Sequence, residues 1–301
     1  MDCDHGLGCC SPPVKLSLSY LPPLRWDDLL NFLRKRAVKG VEAVTDHTYS
    51  RSFSLGGTKG VFEVKPSRRG CHSLDVSLYG AGPASIKSVE RRVRAMFDLD
   101  ADPAAIASHL CRDRRLASLV RDAPGMRIPR TWDPFEAIVR AVLGQQISLV
   151  GAITIAGRLV ERFGRHLKGG GAITRMFPGP SDIMNADLSG IGIPSSRVRS
   201  LSAVSQALLD RRLRLNGSTA GKRLEDLMAI PGIGPWSANY VALRGLGESD
   251  AFPESDLAIR KALDVLGYSK DRTTRRRQIE RLSPWRGYAA IYFWYAMAAR
   301  G

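Results

Sequence analysis

The sequence predicts an α+β chain in which an N-terminal antiparallel sheet with helices is followed by two mainly α-helical lobes. Three observations carry this. Period-two alternation is confined to the first third, in RSFSLGGTKGVFEVKP and SLDVSLYG. From about Ser85 almost to the C-terminus, apolar residues recur at helical spacing. The helical part also contains IPGIGPWSANY, Ile230 to Tyr240, where glycine and proline turn the chain tightly between two apolar segments.

Residues 1–13, MDCDHGLGCCSPP, read as a disordered tail. In PPLRWDDLLNFLRKRAV, Trp26, Leu29, Leu30 and Leu33 form one helical face, and Asp27 and Asp28 fall in the first turn, where the helix dipole favours acids. RSFSLGGTKGVFEVKP gives two short strands around Gly56 and Gly57, and SLDVSLYG puts Leu74, Val76 and Leu78 on one face of another. The segments SIKSVERRVRAMF, DPAAIASHL, DPFEAIVRAVLGQQIS, GAITIAGRLVERFG and SSRVRSLSAVSQALLD each carry an apolar stripe, and LKGGGAIT, FPGPSD and GIGIPSS interrupt them. Short consecutive helices bury such stripes against one another, which predicts two packed lobes. The division is placed near Arg121, giving an α+β part over 14–121 and a helical part over 122–301.

Among the 301 residues, 45 Lys and Arg against 29 Asp and Glu give a net charge of +16, which points to a polyanionic partner. From Arg260 onward ten basic residues face three acids (Asp264, Asp271, Glu280), a segment suited to phosphate. No apolar run reaches the roughly 18 residues of a membrane span, and the N-terminus lacks signal-peptide features. The expectation is a soluble, cytoplasmic protein. Cys3, Cys9, Cys10, Cys71 and Cys111 form no regular framework, which suits a reducing compartment. Cys3, His5, Cys9 and Cys10 are poorly spaced for a tetrahedral zinc site, and none is expected there.

Around the opening turn, RLEDLMAI and WSANYVALRGLG read as helices, with Pro235 suited to a first helical position. Gly232 and Gly234 permit unusual dihedrals and leave backbone N–H groups uncovered, which makes an anion site. Downstream, Asp256 precedes a helix striped by Ile259, Leu263 and Leu266. By itself it reads as an N-cap, and Glu248, Asp250 and Glu254 are neighbouring carboxylates.

The full pattern, PGIG, one residue, an aromatic, Ser-Ala-Asn and a long apolar helix, resembles the helix-hairpin-helix of DNA repair glycosylases. With PPLRWDDLLNFLRKRAV, AVLGQQIS, Asp256 and SPWRGYAAIYFWYA, the resemblance runs from about Leu16 to Ala298 and is closest to the bacterial 3-methyladenine DNA glycosylase II family of alkylation-repair enzymes. It implies that the N–H groups of Gly232, Gly234 and Ser237 grip a phosphate of duplex DNA. It further implies that the carbonyls of Met228, Ile230 and Ile233 hold a sodium or potassium ion. Asp256 would be the catalytic carboxylate, stabilising an oxocarbenium-like sugar and orienting water. Trp236, Tyr240 and Trp294, with Tyr295 and Phe32 nearby, would line a cleft for a flipped cationic purine such as 3-methyladenine or 7-methylguanine.

Relatives that also cut the backbone carry a lysine where Trp236 stands, so no Schiff base is expected and the product would be an abasic site. No cysteine follows Cys111, so no iron–sulfur cluster is expected, and no cofactor is required. Gln146 stands where the resemblance places a leucine wedge; it can fill an emptied stack and hydrogen-bond the orphaned partner without being apolar. Leu143 and Ile147 are expected in the core. Extruding a base costs a few kcal/mol, while stacking returns about 1–3 and cation–π about 0.5–2, so selectivity should be modest. The chain is expected to act as a monomer. The rival reading is a non-catalytic helix-hairpin-helix DNA-binding protein, which would need neither the carboxylate nor the aromatic cleft.

Overall fold

The computed structural model describes residues 12–68, 72–167, 171–215, 217 and 219–298. Residues 1–11, with Cys3, His5, Cys9 and Cys10, and also Cys71, lie outside the described residues.

Five strands, β1 (Val14–Ser19), β2 (Glu42–Val44), β3 (Tyr49–Leu55), β4 (Thr58–Pro66) and β5 (Ser73–Tyr79), form one antiparallel sheet in the order β1-β5-β4-β3-β2. The β3–β4 hairpin turns at Gly56 and Gly57, and β4 and β5 set Phe62 opposite Leu78 and Val64 opposite Val76. These side chains share one face, which explains why Leu74, Val76 and Leu78 are all buried. Helix α1 (Trp26–Arg34) lays Trp26, Leu29, Leu30 and Leu33 into the same core, and α2 (Pro83–Met96) adds Val89, Val93 and Met96. The sequence reading did not anticipate β1 or β2. The first is a short alternating edge beside the tail, and the second has only three residues.

The helices that follow are α3 (Pro103–Leu110), α4 (Arg114–Asp122), α5 (Pro134–Leu143), α6 (Leu149–Phe163), α7 (Pro180–Met184), α8 (Ser195–Leu209), α9 (Ala220–Met228), α10 (Pro235–Val241), α11 (Leu257–Val265), α12 (Arg272–Glu280) and α13 (Arg286–Ala298). Directly after α10 the helix widens into a π turn, Ala242–Leu246. Many helices start on an acid or hydroxyl: Asp102, Asp113, Asp133, Ser148, Thr219, Asp256 and Asp271 each accept from a first-turn N–H.

Two cores result. One surrounds α5, whose Ala137, Ile138, Val139, Ala141, Val142 and Leu143 are all fully buried against α6, α8, α9 and α10. The other joins α11 and α13 to α3 and α4 through Ile106, Leu110, Leu116 and Val120. Packing thus carries α3 and α4, which precede Arg121, into the helical part, and takes Val38 and Val41 into the core around α5.

The segment DPFEAIVRAVLGQQIS is not one helix, as its stripe had suggested. It stops at Leu143; Gln146 takes a left-handed φ of 54°, and Ser148 caps the next helix through the Gly151 N–H. The reversal also corrects the placement of Ile147. Leu143 is core, as expected, but Ile147 is 38% exposed on the rim of a cleft.

A buried ionic bridge ties the sheet to α5. Arg51, 1% exposed on β3, donates to Glu136 at 2.8 Å, and Arg140 contacts Glu42 at 2.5 Å and Glu136 at 2.7 Å. Tyr49 donates its hydroxyl to Glu42 at 2.7 Å. Burial alone would push the Glu42 carboxyl up. Arg140 and Arg51, with the Tyr49 hydroxyl and the Val38 N–H, outweigh burial and hold it below the ordinary glutamate range.

Candidate active site

Between α10, α11 and the start of α6 lies a cleft of about 590 Å³, walled by Trp236, Tyr240 and Trp294, with Asp256, Leu257 and Lys261 on its α11 side. Trp236 and Tyr240 are one helical turn apart on α10, and their rings stack at 5.4 Å and 26°. Tyr240 meets Trp294 of α13 at 6.3 Å, and Phe32 of α1 meets Trp294 at 6.5 Å.

Asp256 is half-buried at the head of α11. Its Oδ1 accepts the Ala258 and Ile259 N–H groups at 3.0 and 3.1 Å, so its cap role is real. The same oxygen accepts the Trp294 indole N–H at 3.1 Å, and Oδ2 accepts the Trp236 indole N–H at 3.0 Å. The two indoles that wall the cleft therefore also orient its carboxylate. Oδ2 has one protein donor among the described residues, which leaves lone-pair capacity on that oxygen. The neighbouring carboxylates are engaged elsewhere: Glu248 pairs with Arg223, Asp250 pairs with Arg286, and Glu254 is exposed and does not line this cleft.

The turn between α9 and α10 is built around Gly232, whose φ is 84°. A Cβ there would sit 1.9 Å from Ser200 Oγ, so glycine is required both by conformation and by the approach of α8. Among the described residues no acceptor pairs with the backbone N–H groups of Gly232, Gly234 or Ser237, and both glycines are exposed. Ser237 itself is buried, its hydroxyl accepting from the Gln145 amide at 3.0 Å; the same amide donates to the Gly232 carbonyl at 2.9 Å. Gln145 escaped the sequence reading, which singled out only Gln146. Gln146 is exposed beside the rim, next to the exposed Leu149 and Val150. Among the described residues, the carbonyl of Ile230 accepts one bond, from the Ile233 N–H at 3.0 Å, while those of Met228, the last residue of α9, and Ile233, in the turn, accept none outside the helices. Each therefore has lone-pair capacity that a monovalent cation could use.

Tyr295 is not brought into the cleft. It is half-buried against the second core, with the Arg25 guanidinium 5.8 Å from its ring. Arg36, Arg140 and Arg244, none of them anticipated, do line the cleft.

The AlkA N-terminal domain family matches residues 15–133, and the HhH-GPD superfamily of base excision DNA repair proteins matches residues 139–286. DNA-3-methyladenine glycosylase 2 of Escherichia coli (strain K12) is 33% identical over 93% of this chain and 96% of its own length. This chain belongs to the HhH-GPD superfamily of DNA glycosylases. Another relative, "Probable bifunctional transcriptional activator/DNA repair enzyme AlkA" of Mycobacterium tuberculosis (strain ATCC 25618 / H37Rv), is 38% identical over 93% of the chain, which spans 56% of that protein's length. Among solved structures, 3-methyladenine DNA-glycosylase from Archaeoglobus fulgidus superposes with a TM-score of 0.80 at 21% identity, covering 95% of this chain and 98% of its own. That likeness places the sheet, the two helical cores and the hairpin of this HhH-GPD protein in one fold. Among the described residues, no helix is long and apolar enough to cross a membrane.

Proposed function

We propose that this HhH-GPD protein is a monofunctional DNA glycosylase that excises alkylated, cationic purines such as 3-methyladenine and 7-methylguanine from duplex DNA. The observation that carries the reading is the Asp256 carboxylate held between the indole N–H groups of Trp236 and Trp294 at an aromatic cleft. A flipped base stacks on the aromatic wall. As its bond to the sugar loosens, positive charge develops on the sugar ring, and Asp256, oriented before the reaction, stabilises it and accepts a proton from the attacking water through Oδ2. A cationic base leaves neutral, so no acid is needed to protonate it.

The free N–H groups of Gly232, Gly234 and Ser237 take a backbone phosphate, with a sodium or potassium ion on the carbonyls of Met228, Ile230 and Ile233 neutralising its other side. Gln146, exposed at the rim, occupies the gap left in the duplex. Trp236 offers no amine for a Schiff base, so the product is an abasic site on an intact strand, formed by a monomer without a redox or organic cofactor.

The test is release of methylated bases from alkylated duplex DNA by the wild type and by Asp256→Asn, which keeps the cap acceptor but not the charge. Release by the wild type alone, with strands intact until alkali, is the expected result. Salt-sensitive binding without release would favour the non-catalytic reading, and strand cutting by the wild type would contradict monofunctional chemistry.

A further inference from the structure

A second cavity, of about 730 Å³, opens on the other side of the π turn, whose Gly245 and Leu246 line it while Arg244 faces the aromatic cleft. Asp133, Pro134 and Phe135, at the N-terminal end of α5, also line the cavity, whereas Gly144, past the C-terminal end, lines the cleft. The ten residues of α5 set the two openings about 15 Å apart. The hairpin likewise lies at the start of α10 and the π turn after its end. The cavity therefore faces away from the cleft and its phosphate grip.

Four arginines and two acids line it. Arg223 pairs with Glu248, and Asp133 Oδ1 is held by the Phe135 N–H at 2.8 Å. Among the described residues Arg91, Arg92 and Arg130 have no ion pair. Arg92 donates Nη1 to the Trp132 carbonyl at 2.9 Å, Arg130 donates Nη2 to the Leu246 carbonyl at 2.7 Å, and the exposed Arg91 bonds to no described residue. Gly247, with φ 75°, makes room for Arg130, because a Cβ there would stand 2.4 Å from the guanidinium carbon. Burial pushes the Arg130 guanidinium down; Asp98 opposes this and the like charge of Arg92 adds to it.

Backbone carbonyls satisfy single N–H groups of these forks and leave their charge uncompensated. Guanidinium forks match phosphate oxygens in pairs, and the volume is that of a small-molecule site. Leu55, Phe135, Leu208 and Leu246 add an apolar wall that a bare phosphate ion would leave uncovered. We propose that this cavity binds a nucleoside phosphate, with Arg91, Arg92 and Arg130 on the phosphate and the apolar wall against the base.

The experiment is calorimetric titration of the full chain with deoxyadenosine monophosphate, deoxyadenosine and inorganic phosphate. The nucleotide should occupy one site per chain that neither deoxyadenosine nor phosphate fills within 10-fold of its affinity. Arg91→Met and Arg92→Met should each weaken that site by about 10-fold or more, the worth of a charge-assisted hydrogen bond. Because Arg91 bonds to no described residue, its effect reads ligand contact rather than folding. Trp236→Ala, at the other opening, should leave the site's affinity unchanged. Binding lost in Trp236→Ala but kept in Arg91→Met and Arg92→Met would place the nucleotide in the aromatic cleft and overturn the proposal. So would no binding to the wild type, or deoxyadenosine or phosphate binding as tightly as the nucleotide. Base release tests the glycosylase reading separately, and none of these outcomes alters it.

Discussion

Gly232→Ala tests the hairpin's construction from two directions. The new residue must hold φ near 84°, which costs about 1–2 kcal/mol for a side chain with a Cβ. Its Cβ would also stand 1.9 Å from Ser200 Oγ and 3.0 Å from Ser200 Cβ. Ser200 Oγ can rotate away only by giving up its bond to the Ser196 carbonyl at 3.1 Å, a loss of about 0.5–1.5 kcal/mol. The two effects sum to about 1.5–3.5 kcal/mol of stability. The assay is equilibrium urea unfolding of wild type, Gly232→Ala, Ser200→Ala and the double variant, run beside DNA affinity by fluorescence anisotropy. Because Ser200→Ala removes both the obstructing Oγ and its bond, the double variant should be less stable than Ser200→Ala by the backbone component alone, with the phosphate grip still weakened. If Gly232→Ala matched the wild type in stability, or if the double variant matched Ser200→Ala in both stability and affinity, the account of this turn would be refuted.

The two indoles should not be equivalent. Among the described residues Trp236 Nε1 is the one donor to Asp256 Oδ2, whereas Oδ1 keeps two backbone donors when Trp294 is lost. Trp236→Phe should therefore slow single-turnover excision by about 10–100-fold and Trp294→Phe by less; the reverse order would refute this division of labour. Glu42 gives a pH signature. Its native pKa lies below its unfolded value near 4.3, so its contribution to stability is present above that value and is lost as pH falls through the native one. The stability difference between wild type and Glu42→Gln should shrink in acid, and a difference independent of pH between about 6 and 2 would contradict the buried bridge.

Much of the fold could be read from local pattern because its elements agree with their own chemistry. The Leu74, Val76, Leu78 face, the Trp26 to Leu33 stripe and the PGIG turn each appear in the structure where their periods placed them. The break at Gln146 was hidden because an apolar stripe runs through it, and only the Ser148 cap signals the new helix. Asp256, Trp236, Tyr240 and Trp294 were legible through motif and resemblance, and they converge on one cleft. The arginines of its wall were not. Arg36, Arg140 and Arg244 sit on three different elements, and each looks locally like an ordinary solvated charge. Burial and convergence over about 200 residues of sequence are tertiary facts that no helical or strand period encodes.

The bridge from β3 to α5, and the seat of Val38 and Val41 among the helices, bear on how this chain can be divided. The matched families meet between residues 133 and 139, as though two modules had been joined there. Severing them would take Arg51 and Glu42 away from Glu136 and Arg140, open a hole beside α5 where Val38 and Val41 sit, and strip Arg36 from the wall of the cleft. The boundary between the matched families is, in the folded molecule, an interior.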